Sequence, residues 1–278
     1  MPKQTVSLAH ATRWMWSRLR FDSLVDTPTM PLLSDRHKLA VLFTPKAGCS
    51  SVVKWFLELH GKREEAARYD SWVHRYRSEV FNKSWAYTRA RVHYSPAHYR
   101  HIKVVRNPYT RVVSSYIHSL RRPMICHAEM ASFLQRPVVG RGYSFREFVG
   151  FLETVDLGGC NPHLGVQVKE KERQGRTIDR ILRLEDGLER QLGEVSHALG
   201  LPVVEFDRLN LSGSSHHVAY EDTTDSNADT LFDLETDRFT PISMPHWRSF
   251  YGEGLQEKVY ALFRADFDQY TYASDLPQ

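Results

Sequence analysis

Lys46, Gly48, Ser50 and Ser51 fall together where an apolar run changes character, in Leu39-Ala-Val-Leu-Phe-Thr-Pro-Lys-Ala-Gly-Cys-Ser-Ser-Val-Val-Lys-Trp-Phe-Leu59. The pattern reads as a strand, a Pro-Lys-x-Gly turn and a helix opening on hydroxyls. That order builds an anion cradle, because the unpaired N–H groups of a first helical turn and the positive end of its dipole attract phosphate or sulfate. Lys46 supplies a movable cation. Gly48 lets the backbone approach an anion that a Cβ would obstruct, and Ser50 and Ser51 can cap the helix and donate hydroxyl hydrogen bonds. Pro45, Ala47 and Cys49 complete the loop, Cys49 lending its backbone N–H. A phosphorylated nucleotide is the implied ligand.

The turn departs from the ATP- and GTP-binding pattern G-x-x-x-x-G-K-[ST], in which Lys follows the last Gly and a hydroxyl holds magnesium. Here Lys46 precedes Gly48, and no apolar strand ends in the Asp that a magnesium site would want. The second strand, in His101-Ile-Lys-Val-Val-Arg-Asn-Pro-Tyr-Thr-Arg-Val-Val-Ser-Ser-Tyr-Ile-His118, ends instead in Arg106. Pro108 opens a further helix, and Ser114, with Arg111 one turn away, offers a hydroxyl two turns along it. Two strand-to-helix anion sites in one chain are more specific than either alone.

These segments resemble the cofactor motifs of sulfotransferases that use 3′-phosphoadenosine-5′-phosphosulfate. Thr44-Pro-Lys-Ala-Gly-Cys-Ser-Ser51 is similar to their 5′-phosphosulfate loop, and Val105-Arg-Asn-Pro-Tyr-Thr-Arg-Val-Val-Ser-Ser-Tyr116 to their 3′-phosphate motif. The carbohydrate branch, sulfotransferase family 2, is the nearer one. Asn161-Pro-His-Leu-Gly-Val-Gln167 resembles its D-P-H-W-x-x-Q, with Asn161 for Asp and Leu164 for Trp, and Tyr260 to Tyr272 resembles its closing Y-x-x-D-F-x-x-F-x-Y pattern. Ser51 stands where many relatives carry Trp or Asn. The likeness runs from about Lys38 to Tyr272.

The resemblance implies transfer of a sulfuryl group to a hydroxyl of a carbohydrate or small-metabolite acceptor, leaving adenosine 3′,5′-bisphosphate. Such a step needs a positioned acceptor, a base for its proton, and a cation for the charge growing on the leaving phosphate oxygen. Lys46 fits the cation role. No metal is expected, since the transferred group carries less charge than a phosphoryl. His93, in Arg89-Ala-Arg-Val-His-Tyr94, is the expected base, because relatives carry a catalytic His after the equivalent strand. His98 and His101 are rivals, as is His163, which could be a base or an acceptor contact; Glu185 is a weaker alternative base that could instead cap the following helix. A P-loop small-molecule kinase and a non-catalytic nucleotide-binding module are the competing classes.

At 278 residues and 41% hydrophobic content, the chain can bury a full core. Alternating strands and helices predict an α/β fold: a single domain over 31–278 with a P-loop-like, mainly parallel central sheet flanked by helices on both faces. Strands are expected around Ala90 to Tyr94 and from Thr177 to Leu184. Helices are expected between 62 and 90, from Ser144 to about Val155, from Glu185 to Leu199 and from Gly254 to Phe267. Residues 207–240, rich in Ser, Thr, Asp and Asn and holding His216 and His217, read as a surface excursion. Residues 1–30 read as a basic amphipathic segment, with peripheral membrane contact of 10–21 a minority reading and no transmembrane span.

A net charge of +4 with scattered Lys and Arg suits an anionic ligand and not a nucleic-acid stripe. Cys49, Cys126 and Cys160 form neither a C-x-x-C pair nor an even framework, which points to a reducing compartment. The cytoplasm is the expected location.

Overall fold

The computed structural model describes residues 30–169, 172, 178–206, 218–221, 225–234 and 242–277. Residues 1–29 of the expected amphipathic segment, with His216 and His217, lie outside the described residues. Four strands form the main sheet in the order β1 (Leu32–Ser34), β2 (Leu39–Phe43), β3 (Arg100–Val105) and β4 (Arg180–Arg183). β1 pairs antiparallel to β2, and β2, β3 and β4 run parallel. Every residue of β2 is buried, as a strand covered on both faces must be.

Ile102 and Val104 turn one face of β3 into a core with Val52, Val53, Trp55 and Phe56 of α1 (Cys49–Leu59) and Leu192 and Val195 of α8 (Leu188–Ala198). The Trp55 indole N–H donates to Ser196 Oγ at 3.2 Å, tying α1 to α8. On the opposite face Val105 packs against Val168 and Tyr270. Lys103 also points there, where its ammonium meets the Glu172 carboxylate and donates to the Gln167 carbonyl at 2.7 Å. Tyr270 O–H donates to the same Glu172 at 2.9 Å. A second large cluster joins α5 (Pro108–Leu120), α6 (His127–Leu134), α7 (Phe145–Leu152) and α9 (Leu255–Leu262). The architecture is therefore α/β, with a mainly parallel sheet between helical layers.

Several local expectations hold and others shift. Ser144 opens α7 with the predicted capping box, its hydroxyl accepting from Glu147 N–H while Glu147 accepts from Ser144 N–H. Ala90 to Tyr94 is not a strand. Ser84 caps α4 (Trp85–Val92), which buries Tyr87 and Ala90 at helical spacing and ends at His93. Two further helices, α2 (Arg63–Tyr69) and α3 (Val73–Glu79), fill the stretch before it. Helix α8 starts at Leu188 and not at Glu185, because Gly187 takes a left-handed conformation after a short 3₁₀ turn at Leu184–Asp186. Phe263 interrupts the last helix, separating α9 from α10 (Arg264–Tyr270).

Within the excursion, β5 (Val218–Glu221) pairs parallel with β6 (Ile242–Pro245) and Phe232 bridges to Tyr143. Residues 207–217, 222–224 and 235–240 lie outside the described residues. The bridge depends on Gly142, whose φ is +63° and whose added Cβ would stand 1.9 Å from the Phe232 carbonyl oxygen. Gly142→Ala is expected to cost about 3 kcal/mol or more by backbone displacement and left-handed strain, read as a melting point lowered by roughly 10 °C. An unshifted melting curve would contradict this packing.

Candidate anion and active site

Thr44 closes β2, and the chain then makes a tight turn in which Ala47 N–H donates to Thr44 C=O at 3.2 Å. Pro45 sits in its second position and Lys46, at φ 72°, in its third, the residue order of a type II turn. Lys is a strained choice where Gly or Asn is usual, so other contacts must hold it. They come from the second motif. Arg106 Nη1 donates to the Lys46 carbonyl at 3.2 Å, and Arg111 Nε donates to the Pro45 carbonyl at 3.2 Å. Gly48 then caps α1 at φ 74°, with no side-chain cap and no acidic residue in the first turn. An added Cβ would lie 2.9 Å from Leu184 Cδ1 and from Leu188 Cδ2, so the cradle is closed below by leucines.

Arg106 follows β3 directly, and its Nε donates to Thr110 Oγ1 at 3.0 Å. Asn107 caps α5 by accepting from Tyr109 N–H at 2.9 Å, with Pro108 in the first turn. Two helix mouths thus open side by side at the carboxyl edge of adjacent parallel strands, joined by one guanidinium. Burial pulls the Lys46 ammonium down to about 8, with Cys49 opposing and Arg106, Arg121 and Arg111 adding repulsion. Such a cluster favours anions. The Thr44 hydroxyl, buried at the strand tip, has no partner among the described residues.

Along α5, Thr110, Ser114 and His118 follow at four-residue spacing on one face, with Arg111 beside them. Arg111 is fully buried and braces the loop, its Nη2 reaching the Pro162 carbonyl at 3.1 Å. His118 stacks on His163, ring centres 4.6 Å apart. Asn161 Oδ1 accepts from both the backbone N–H of His163, at 3.1 Å, and its Nδ1, at 3.0 Å. An amide oxygen in that place puts the ring proton on Nδ1 and leaves Nε2 as the acceptor. Burial lowers the His163 pKa to about 4, and Lys46, Arg111 and His74 add positive charge against its protonation. Ser50 Oγ lies 3.2 Å from His74 Nε2, so the helix mouth, His74 and His163 share one neighbourhood. Ser51 is half-buried in the first turn of α1.

His93 is not brought there. It ends α4 exposed, its Nδ1 3.3 Å from Asp35 Oδ2 in the turn that precedes β2. The five residues of β2 separate that turn from Lys46, roughly 16 Å at about 3.3 Å per residue. His98 is exposed in the loop before β3, and His101 lies near the start of that strand with its Nε2 2.7 Å from Tyr94 Oη, at the same wrong end of the sheet. Glu185 is engaged elsewhere, its carboxylate accepting from Asn107 N–H and, at 3.3 Å, from Tyr272 O–H. It does not cap α8, whose first turn has no side-chain cap.

Sequence reasoning passed over Gln167 and Asp266, which hold Arg106 from behind. Their only signal was membership of the two loosest motifs. Among the described residues no group of three or more His, Cys, Asp or Glu is placed to hold a metal ion. The three cysteines are free. No described helix is long and apolar enough to cross a membrane.

A mainly parallel sheet that delivers two helix N-termini and an arginine to one edge defines an α/β domain. Residues 31–273 match a family model described as Sulfotransferase family, in its family 2 branch, and the chain belongs to that family. Sulfuryl transfer is the reaction class this membership supports. Among curated proteins and among solved structures, none matches the chain.

Proposed function

We propose that the chain transfers a sulfuryl group from 3′-phosphoadenosine-5′-phosphosulfate to a hydroxyl of a carbohydrate or small metabolite. The observation that supports this reading is the 3.2 Å contact between Arg106 and the Lys46 carbonyl, which brings the arginine of the second motif to the turn of the first. Pro45, Lys46, Ala47, Gly48, Cys49, Ser50 and Ser51 would surround the 5′ end, and Arg106 with Ser114 the 3′-phosphate. Lys46 would stabilise the oxygen that keeps the electron pair as the S–O bond breaks. His163, neutral and with Nε2 open as an acceptor, would take the acceptor's proton. His93 has no part in this scheme.

Calorimetry tests the reading with adenosine 3′,5′-bisphosphate, AMP and ATP with magnesium. The bisphosphate should bind at least about tenfold more tightly than AMP, a second charge-assisted anchor being worth at least that much. Equal affinities, or magnesium-dependent ATP turnover, would overturn it.

The depressed Lys46 pKa adds a pH dependence with a defined sign. Below about 8 the ammonium is charged and attracts the 5′ anion; above it the charge is lost. Phosphate is already ionised there, its second pKa being about 6. Bisphosphate affinity should therefore fall between about pH 8 and 9.5, and Lys46→Arg should flatten that fall because guanidinium stays charged. A flat wild-type profile would count against Lys46 as the 5′ contact.

A further inference from the structure

Gln167 has no exposed surface and directs its whole side-chain amide at one neighbour. Its Oε1 accepts from Arg106 N–H at 2.9 Å and its Nε2 donates to Arg106 C=O at 2.8 Å. The β3–β4 ladder ends one residue earlier, with Val105 opposite Arg183. The amide thus extends the pairing past the last ladder residue and bonds both backbone groups of Arg106. Gln167 is itself held. Its backbone N–H lies 2.8 and 2.9 Å from the two carboxylate oxygens of Asp266, and Val168 N–H donates to Asp266 Oδ1 at 2.8 Å. Asp266, on α10, is fully buried.

We propose that Gln167 is a positioning residue for anion recognition, fixing the backbone of Arg106 so that its guanidinium meets a 3′-phosphate, with Asp266 as the anchor of Gln167. This rests on the adenosine 3′,5′-bisphosphate reading given above. Thr110 and the Lys46 carbonyl hold the far end of the Arg106 side chain, and Gln167 holds its root. A guanidinium held at both ends keeps its direction before the ligand arrives, so less ordering entropy opposes binding. The two loosest motifs of the sequence, around Asn161–Gln167 and Tyr260–Tyr272, thereby acquire one shared purpose.

The test is calorimetry on the full chain with adenosine 3′,5′-bisphosphate and with AMP, for wild type, Gln167→Met, Gln167→Glu and Arg106→Ala, with melting curves for each. Met keeps the volume and removes both hydrogen bonds; Glu keeps the acceptor for Arg106 N–H but sets an oxygen against its carbonyl. The ratio of the two affinities isolates the 3′-phosphate. Both Gln167 variants should reduce that ratio by about tenfold while AMP affinity holds. Equal weakening of both ligands, an unchanged ratio, or failure of both variants to fold would overturn the positioning role and leave Gln167 a core residue. Arg106→Ala separates the two levels. If it leaves the ratio untouched, the bisphosphate reading itself falls; if it collapses the ratio and the Gln167 variants do not, only the positioning role falls.

Discussion

Arg106→Ala is expected to weaken adenosine 3′,5′-bisphosphate binding by roughly 100-fold, from two charge-assisted hydrogen bonds at about 1.5 kcal/mol each. AMP should lose less. Some loss is expected there too, because the same guanidinium supports the Lys46 carbonyl at 3.2 Å and with it a left-handed backbone that Lys would not otherwise prefer. Thermal stability should change little by comparison, since Arg106 is half-buried at the strand edge and not part of either large core. Arg106→Lys should recover only part of the loss: an ammonium restores charge but not the planar pair of donors. Undiminished bisphosphate affinity in the Ala variant, measured by calorimetry at fixed ionic strength, would remove the 3′-phosphate from this place.

The second large effect belongs to turnover. His163→Asn should lower sulfuryl transfer by about 10²- to 10⁴-fold, the usual contribution of a general base, with bisphosphate affinity nearly unchanged. Asn can still present an N–H to Asn161 Oδ1, where His163 Nδ1 now lies at 3.0 Å, but it has nothing in the place of Nε2. His93→Ala, at the other end of the sheet, should transfer at the wild-type rate. Because burial holds the His163 pKa near about 4, kcat/KM should show no acidic limb around pH 6.5 and should fall only near pH 4. These outcomes can be read as labelled sulfuryl transfer from 3′-phosphoadenosine-5′-phosphosulfate to the best of a panel of sugars and hydroxy-metabolites. Turnover lost in His93→Ala and kept in His163→Asn would reverse the assignment.

The strand, turn and helix start over 39–59 were legible because their causes are local: an apolar run, Pro45 and Gly48 lie next to one another in the chain, although Ser50 and Ser51 do not cap the helix as expected. The same holds for the α7 capping box, whose partners Ser144 and Glu147 are three residues apart. The expectation for His93 rested on an element that the structure replaces. Ala90 to Tyr94, expected as a strand, is instead the end of a helix capped at Ser84, and His93 lies beside Asp35 in the turn before β2. Thr88, Ala90 and Val92 alternate with Arg89, Arg91 and His93, a period of two that also suits a strand. Gln167 and Asp266 could be seen only as members of two loose motifs, and nothing in either motif paired them, since 99 residues separate them. Their roles come from the residue that follows the last pair of the β3–β4 ladder, a place that only the folded sheet creates.

α5 links the two halves of the site as one rigid rod. Asn107 and Pro108 start it beside Arg106, and His118, a few turns on, lies flat against His163. The helix thus acts as a ruler between the end that would hold the spent donor and the end that would meet the incoming hydroxyl. Inserting one residue between Ser114 and His118 would advance the distal imidazole by about 1.5 Å and swing it by roughly 100°. The donor end would keep its grip while the acceptor end lost its alignment, uncoupling occupancy from turnover without touching a single reacting group.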